Sequence, residues 1–123
     1  MHSHTYTGNA LAASVALEVL KIFSEENVLS QAEQLGKEML TAMHNIAEET
    51  KKIQNVRGIG AIVAADIICD DHKRRRGFEV FQKAVERGAY LRPLGNTIYW
   101  LPPLNMRMDT LAELKTITQN ALL

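Results

Sequence analysis

The sequence predicts an α+β fold, a small, mostly antiparallel sheet packed with helices. Three observations carry this. Apolar residues recur at helical spacing near both ends of the chain. The stretch Ile53 to Ile68 is instead rich in β-branched residues and broken by Gly58 and Gly60. Gly95-Asn96 supplies turn chemistry between two short apolar runs. The resulting order is helix, helix, strands, helix, hairpin, helix.

Met1 to Asn9 is polar and reads as a loop. Leu11, Val15, Val19, Leu20 and Phe23 then mark a helix that Asn9 caps. Ala10 to Leu20 is apolar almost all round, so this helix is expected to be well buried. Ser30 and Glu33 have the spacing of a capping box that opens a second helix running to about Glu49. Leu35, Met39, Leu40, Met43 and Ile46 mark its buried face, with Lys37, Glu38, Glu48 and Glu49 in water. Ile53 to Ile68 reads as two short strands, or one bent strand with a bulge at Gly58 to Gly60.

Cys69 to Arg76 is a charged connection. Gly77 to Arg87 is a short helix with Phe78, Phe81 and Val85 inward, and Gly88 suits its end. Ala89 to Leu94 and Thr97 to Leu101 are expected as the two strands of a hairpin, with Pro93 at an edge or strand end. Pro102-Pro103 stops the second. Asp109 or Thr110 caps a last helix, Thr110 to Glu113 being another capping box. Leu111, Leu114, Ile117, Ala121 and Leu122 face the core.

Bulk properties set limits on function. The chain has 123 residues, enough for one domain, and 46% of them are hydrophobic. Fourteen basic and fourteen acidic side chains cancel, which argues against a dedicated nucleic-acid binder. One cysteine, Cys69, excludes an internal disulfide and fits a cytoplasmic setting. No run approaches the roughly 18 apolar residues of a membrane span, and the polar start has no apolar stretch behind a basic one.

Most isolated motifs have an ordinary explanation. Gly58-x-Gly60 lacks a third glycine and leads into a strand, so it is a turn or bulge and not a dinucleotide loop. Lys73 to Arg76 is a solvated loop balanced by Asp70 and Asp71. His2 and His4, with His44 and His72 far off, lack the ligand count and spacing of a zinc site. Cys69 reads as a small core residue at a strand end. No lysine sits in an apolar setting that would lower its pKa for Schiff-base chemistry. On residue patterns alone, the sequence describes an α+β domain without a self-contained catalytic constellation.

Two segments stand apart. His2-Ser3-His4-Thr5-Tyr6-Thr7-Gly8-Asn9-Ala10-Leu11-Ala12 runs a hydroxyl-rich loop into a helix N-terminus, where an anion can be held or an ordinary N-cap formed. Leu91-Arg92-Pro93-Leu94-Gly95-Asn96-Thr97-Ile98-Tyr99-Trp100-Leu101-Pro102-Pro103 places an arginine, a tyrosine and a tryptophan on one hairpin. The planar guanidinium of Arg92 suits bidentate pairing with a carboxylate; a surface salt bridge is the plainer alternative.

Together these segments resemble the class III aminotransferases of fold type I, over the whole chain including the Arg57-Gly58-x-Gly60 strand and the closing helix. The resemblance implies the C-terminal small domain of such an enzyme, using pyridoxal 5'-phosphate in a homodimer whose sites draw on both subunits. The Arg-Pro-x-Gly-x-x-Ile-Tyr-x-x-Pro-Pro pattern narrows it to the branch that moves an amino group from S-adenosylmethionine to 8-amino-7-oxononanoate in biotin biosynthesis. Under this resemblance Thr5 matches a threonine that bonds the cofactor phosphate across the dimer interface, and His4 lies near that phosphate. Ser3 lies near substrate, Arg92 pairs with the carboxylate of the keto substrate, and Tyr99 belongs to the same site.

Three departures follow. Ser3 stands where glycine is usual in the family, and Ala10 where proline is common. The family's Schiff-base lysine, its aspartate to the pyridine nitrogen and most of its phosphate loop align before residue 1. The chain is therefore expected to be a cofactor-dependent part, inactive alone. The rival expectations are a stand-alone interaction or oligomerisation domain using helix Ala10 to Phe23, and a nucleic-acid module using Lys73 to Arg76. Left uncovered, that helix is expected to drive self-association.

Overall fold

A computed structural model describes residues 5, 7–70 and 75–123. The elements are α1 (Ala10–Glu25), α2 (Val28–Thr50), β1 (Ile53–Ile59), β2 (Ile62–Ile67), α3 (Arg76–Val85), β3 (Thr97–Trp100) and α4 (Met108–Leu122). The strands form one antiparallel sheet in the order β1-β2-β3. The α+β expectation holds. No described helix is long and apolar enough to cross a membrane.

Of the two readings of Ile53 to Ile68, two strands is the right one. Ile59 pairs with Ile62 around a two-residue turn, Gly60-Ala61. Gly60 sits at φ +52 while Ala61 is not in the left-handed region, the pattern of a hairpin turn with glycine first. The bulge lies elsewhere, between Gln54 and Arg57, where Asn55 takes φ +52. Asparagine tolerates this conformation better than most residues.

Side-chain alternation gives the sheet its two faces. Ile53, Val63, Ala65, Ile67, Ile98 and Trp100 point inward and are buried. Against them pack Leu35, Met39, Met43 and Ile46 of α2, as expected, and Leu111, Ala121 and Leu122 of α4. Leu114 and Ile117 close the edge of this core. Trp100 buries its ring and its indole N–H donates to Thr118 Oγ1 at 3.1 Å, so the largest core side chain leaves no polar atom unpaired.

The approach of α2 to the β1–β2 turn depends on a missing side chain. A Cβ on Gly36 would lie 2.0 Å from the carbonyl oxygen of Gly60. Gly77 of α3 is the same case, its absent Cβ standing 2.1 Å from the carbonyl of Gly95.

Five expectations are corrected. First, α1 forms where predicted and Asn9 Oδ1 accepts from the Ala12 amide at 3.0 Å, but the helix is not buried: none of its residues is. Leu11 is 77% exposed and Leu17 69%, because α2 is the element α1 rests on and covers little of its apolar circumference. Second, the Ser30–Glu33 box does not form. A left-handed Asn27 turns the chain directly from α1 into α2, so Ser30 already lies within the helix.

Third, α3 presents Gly77, Val80 and Ala84 to the core, not Phe78, Phe81 and Val85. The close approach at Gly77 selects the small-residue face; Phe81 instead meets Tyr90 edge-on at 5.2 Å. Fourth, Ala89 to Leu94 is not a strand. Only Leu94 bridges to Thr97, since Pro93 has no N–H to offer a ladder. Fifth, no Thr110–Glu113 box opens α4. Asp109 lies inside the first turn and accepts from the Thr110 amide at 2.7 Å and from Arg107 Nε at 3.1 Å.

Candidate carboxylate-binding site

Arg92 and Tyr99 flank a turn that is fixed on several sides. Leu94 and Thr97 exchange backbone hydrogen bonds of 2.9 and 3.0 Å around Gly95-Asn96, and Gly95 takes φ +62. The carbonyl of Asn96 accepts from the Ile67 amide at 2.8 Å, which ties the turn to the end of β2. Its side-chain Oδ1 accepts from the Gly77 amide at 3.1 Å, which ties it to the start of α3. Arg92 is two residues before this turn, held on one side by the fixed φ of Pro93. On the other side Ala89 and Leu91 are buried.

The fold brings Arg92 and Tyr99 to one cavity of about 460 Å³. Leu91, Trp100, Leu114 and Ile117 supply much of its apolar wall, and Tyr90 and Glu113 also reach it. Tyr99 is half-buried and Arg92 exposed. Arg57, Arg76, Arg87 and Arg107 each meet a carboxylate, and Arg75 lies over the ring of Phe78. Among the described residues, Arg92 is the arginine whose guanidinium is committed to no partner. A planar cation with open donors lining the same partly apolar cavity as a phenol is suited to a carboxylate carried on an apolar chain.

The polar face of the sheet carries a second arrangement. Asp66 accepts from Arg57 Nη2 at 3.0 Å and Nη1 at 3.1 Å, from Thr97 Oγ1 at 2.7 Å and from Asn55 Nδ2 at 3.2 Å. The Arg57 bonds, then the Thr97 bond, hold its carboxyl below the usual aspartate value. Sequence reading missed this cluster. Its one visible signal was an aspartate inside the apolar run Ala64-Ala65-Asp66-Ile67; the bulge that aims Asn55 at it has no sequence marker.

The other expected site residues are distributed differently. Ser3 and His4 lie outside the described residues. Thr5 lies exposed in a turn before α1 and does not line the Arg92 cavity. Its hydroxyl is chemically suited to a phosphate oxygen. At the helix start itself, Asn9 takes the Ala12 amide, so the plain N-cap forms there. Cys69 is half-buried, and Lys73 and Arg74 are outside the described residues. No described lysine is buried, and no described cluster of His, Cys, Asp or Glu has the makings of a metal site.

A three-stranded antiparallel sheet backed by α2, α3 and α4, with an arginine and a tyrosine presented from the β3 turn, defines a small mixed subdomain. The family model for aminotransferase class-III matches residues 1–122, and the chain belongs to that family. It is 37% identical over 106 residues to adenosylmethionine-8-amino-7-oxononanoate aminotransferase of Helicobacter pylori, covering 84% of this chain and 24% of that protein. It is also 37% identical over 109 residues to 4-aminobutyrate aminotransferase of Escherichia coli, covering 83% of this chain and 26% of that protein. Among solved structures, an amine transaminase of an uncultivated Pseudomonas species in its PLP-bound form superimposes with a TM-score of 0.89 at 28% identity, over 99% of this chain and 29% of that one. The chain thus spans about a quarter of the length of the curated relatives it matches.

Proposed function

We propose that this chain is the C-terminal small domain of a pyridoxal-phosphate-dependent aminotransferase that carries an amino group from S-adenosylmethionine to 8-amino-7-oxononanoate, giving 7,8-diaminononanoate for biotin synthesis. The observation that carries the reading is Arg92: an uncommitted guanidinium lining the same partly apolar cavity as Tyr99. The keto substrate ends in a carboxylate on an alkyl chain, which is what such a cavity accepts. In this reading Arg92 binds the carboxylate, Tyr99 bounds the same subsite, and Ser3 lies near substrate from the other end of the chain. Thr5 and His4 hold the cofactor phosphate, across the interface of a homodimer.

When bound, the cofactor would supply the electron sink that makes amino transfer possible. The residues here bind and orient. Equal identity to a 4-aminobutyrate enzyme and to a diaminononanoate-forming one means that overall similarity does not choose the substrate. The Arg92 to Pro103 pattern favours the latter. A second reading, a stand-alone oligomerisation domain, has the exposed apolar α1 in its favour.

The test is Arg92→Ala in the complete enzyme. Losing a charge-assisted hydrogen-bonded partner costs about 1.5–3 kcal/mol, or roughly 10- to 150-fold in kcat/KM for the keto acid. Its primary amide should be nearly unaffected. Equal effects on acid and amide would contradict the assignment.

A further inference from the structure

We propose that Asp66 is a positioning residue for the Arg92–Tyr99 site. The inference rests on the carboxylate reading above and deepens it. Asp66 and Thr97 are cross-strand partners on β2 and β3, and the Thr97 hydroxyl donates to Asp66 Oδ1 at 2.7 Å. Thr97 is also the residue that closes the turn with Leu94 through paired backbone bonds. Fixing Thr97 therefore fixes both arms of the site at once. Arg92 lies two residues before Leu94, with Pro93 between them; Tyr99 lies two residues after Thr97 on the same face of β3.

Asp66 is itself immobilised from the far side. Arg57 grips both of its carboxylate oxygens from β1, and Asn55 reaches it from the bulge. Asn55 also stands in a left-handed conformation that the bulge enforces. A residue whose only task was to solubilise the open sheet face would need none of these bonds. The arrangement runs Asn55 and Arg57 to Asp66, Asp66 to Thr97, and Thr97 to the turn between Arg92 and Tyr99. Asp66 touches neither substrate nor cofactor in this account. It acts by holding the guanidinium and the phenol at a set separation.

Small displacements of a positioned group carry large kinetic penalties, so the consequence falls on carboxylate recognition. The experiment compares Asp66→Asn, Thr97→Val and Thr97→Ser with Arg92→Ala in the complete enzyme. The readout is the ratio of kcat/KM for the keto acid to that for its primary amide, alongside thermal unfolding. Asp66→Asn and Thr97→Val should each lower that ratio by about 10-fold through KM for the acid. Thr97→Ser, which keeps the hydroxyl, should restore it. An equal fall for acid and amide, tracking a lower Tm, would reduce Asp66 to a structural residue and overturn the proposal. So would an unchanged ratio in Asp66→Asn when Arg92→Ala has lost it. If Arg92→Ala itself leaves the ratio unchanged, the carboxylate reading fails and this inference falls with it.

Discussion

Trp100 and Thr118 are joined by a hydrogen bond of 3.1 Å between indole N–H and hydroxyl, with both side chains buried. The same hydroxyl donates to the Leu114 carbonyl at 2.8 Å. This pair ties β3, which carries Tyr99, to α4, whose Glu113, Leu114 and Ile117 also line the cavity. Thr118→Val keeps the volume and strands the indole N–H in an apolar core. The expected loss is about 1–3 kcal/mol, with Thr118→Ser close to wild type. Urea denaturation of the 123-residue chain measures both.

Gly77 packs directly against the turn that carries the site. A methyl group there would overlap the carbonyl of Gly95, and backbone cannot yield as a flexible side chain can. Gly77→Ala should therefore destabilise the fold by about 1–3 kcal/mol, as overpacked cores do. It should also loosen the Asn96 anchor. The same unfolding assay measures the first effect, and amide exchange at Gly77 should report the second as faster exchange.

Asp66 gives the fold a defined acid sensitivity. Its carboxyl is held below the ordinary value, first by the Arg57 bonds and then by that from Thr97. A depressed folded-state pKa contributes stability that is fully present above the unfolded value. It is lost as pH falls through the folded one. Stability should thus decline on acidification below the usual carboxylate range, and Asp66→Asn should flatten that part of the profile. Thermal unfolding of both proteins from neutral pH into acid tests this; superimposable slopes would count against it.

The apolar surface of α1 predicts association of the isolated chain. Leu11, Val15, Leu17, Val19 and Leu20 are all substantially exposed. Sedimentation should show concentration-dependent oligomers that Leu17→Glu with Leu20→Glu disperses. A monomer at high concentration would indicate that the surface is tolerated in water.

These cases also show what the sequence alone can carry. The buried face of α2 was legible because Leu35, Met39, Met43 and Ile46 repeat at a helical period and all four are buried. The β1–β2 hairpin was legible from β-branched residues interrupted by glycine. The inward face of α3 was not, because a glycine packing against backbone leaves no hydrophobic signature to set against two phenylalanines. The exposure of α1 was misread because an all-apolar helix signals burial without naming its cover. Arg92 and Tyr99 were named by pattern and resemblance. Their support from Asp66 and Thr97 depends on strand register and a bulge, which are long-range pairings that local sequence does not encode.

An amino-transfer assay on the full-length protein that contains this chain tests the proposed reaction most directly. With pyridoxal phosphate, S-adenosylmethionine and 8-amino-7-oxononanoate supplied, product is followed by mass spectrometry. The expected product is 7,8-diaminononanoate, formed in amounts that depend on S-adenosylmethionine and lost with Arg92→Ala. Turnover of 4-aminobutyrate or ornithine with no consumption of 8-amino-7-oxononanoate would contradict the proposed reaction.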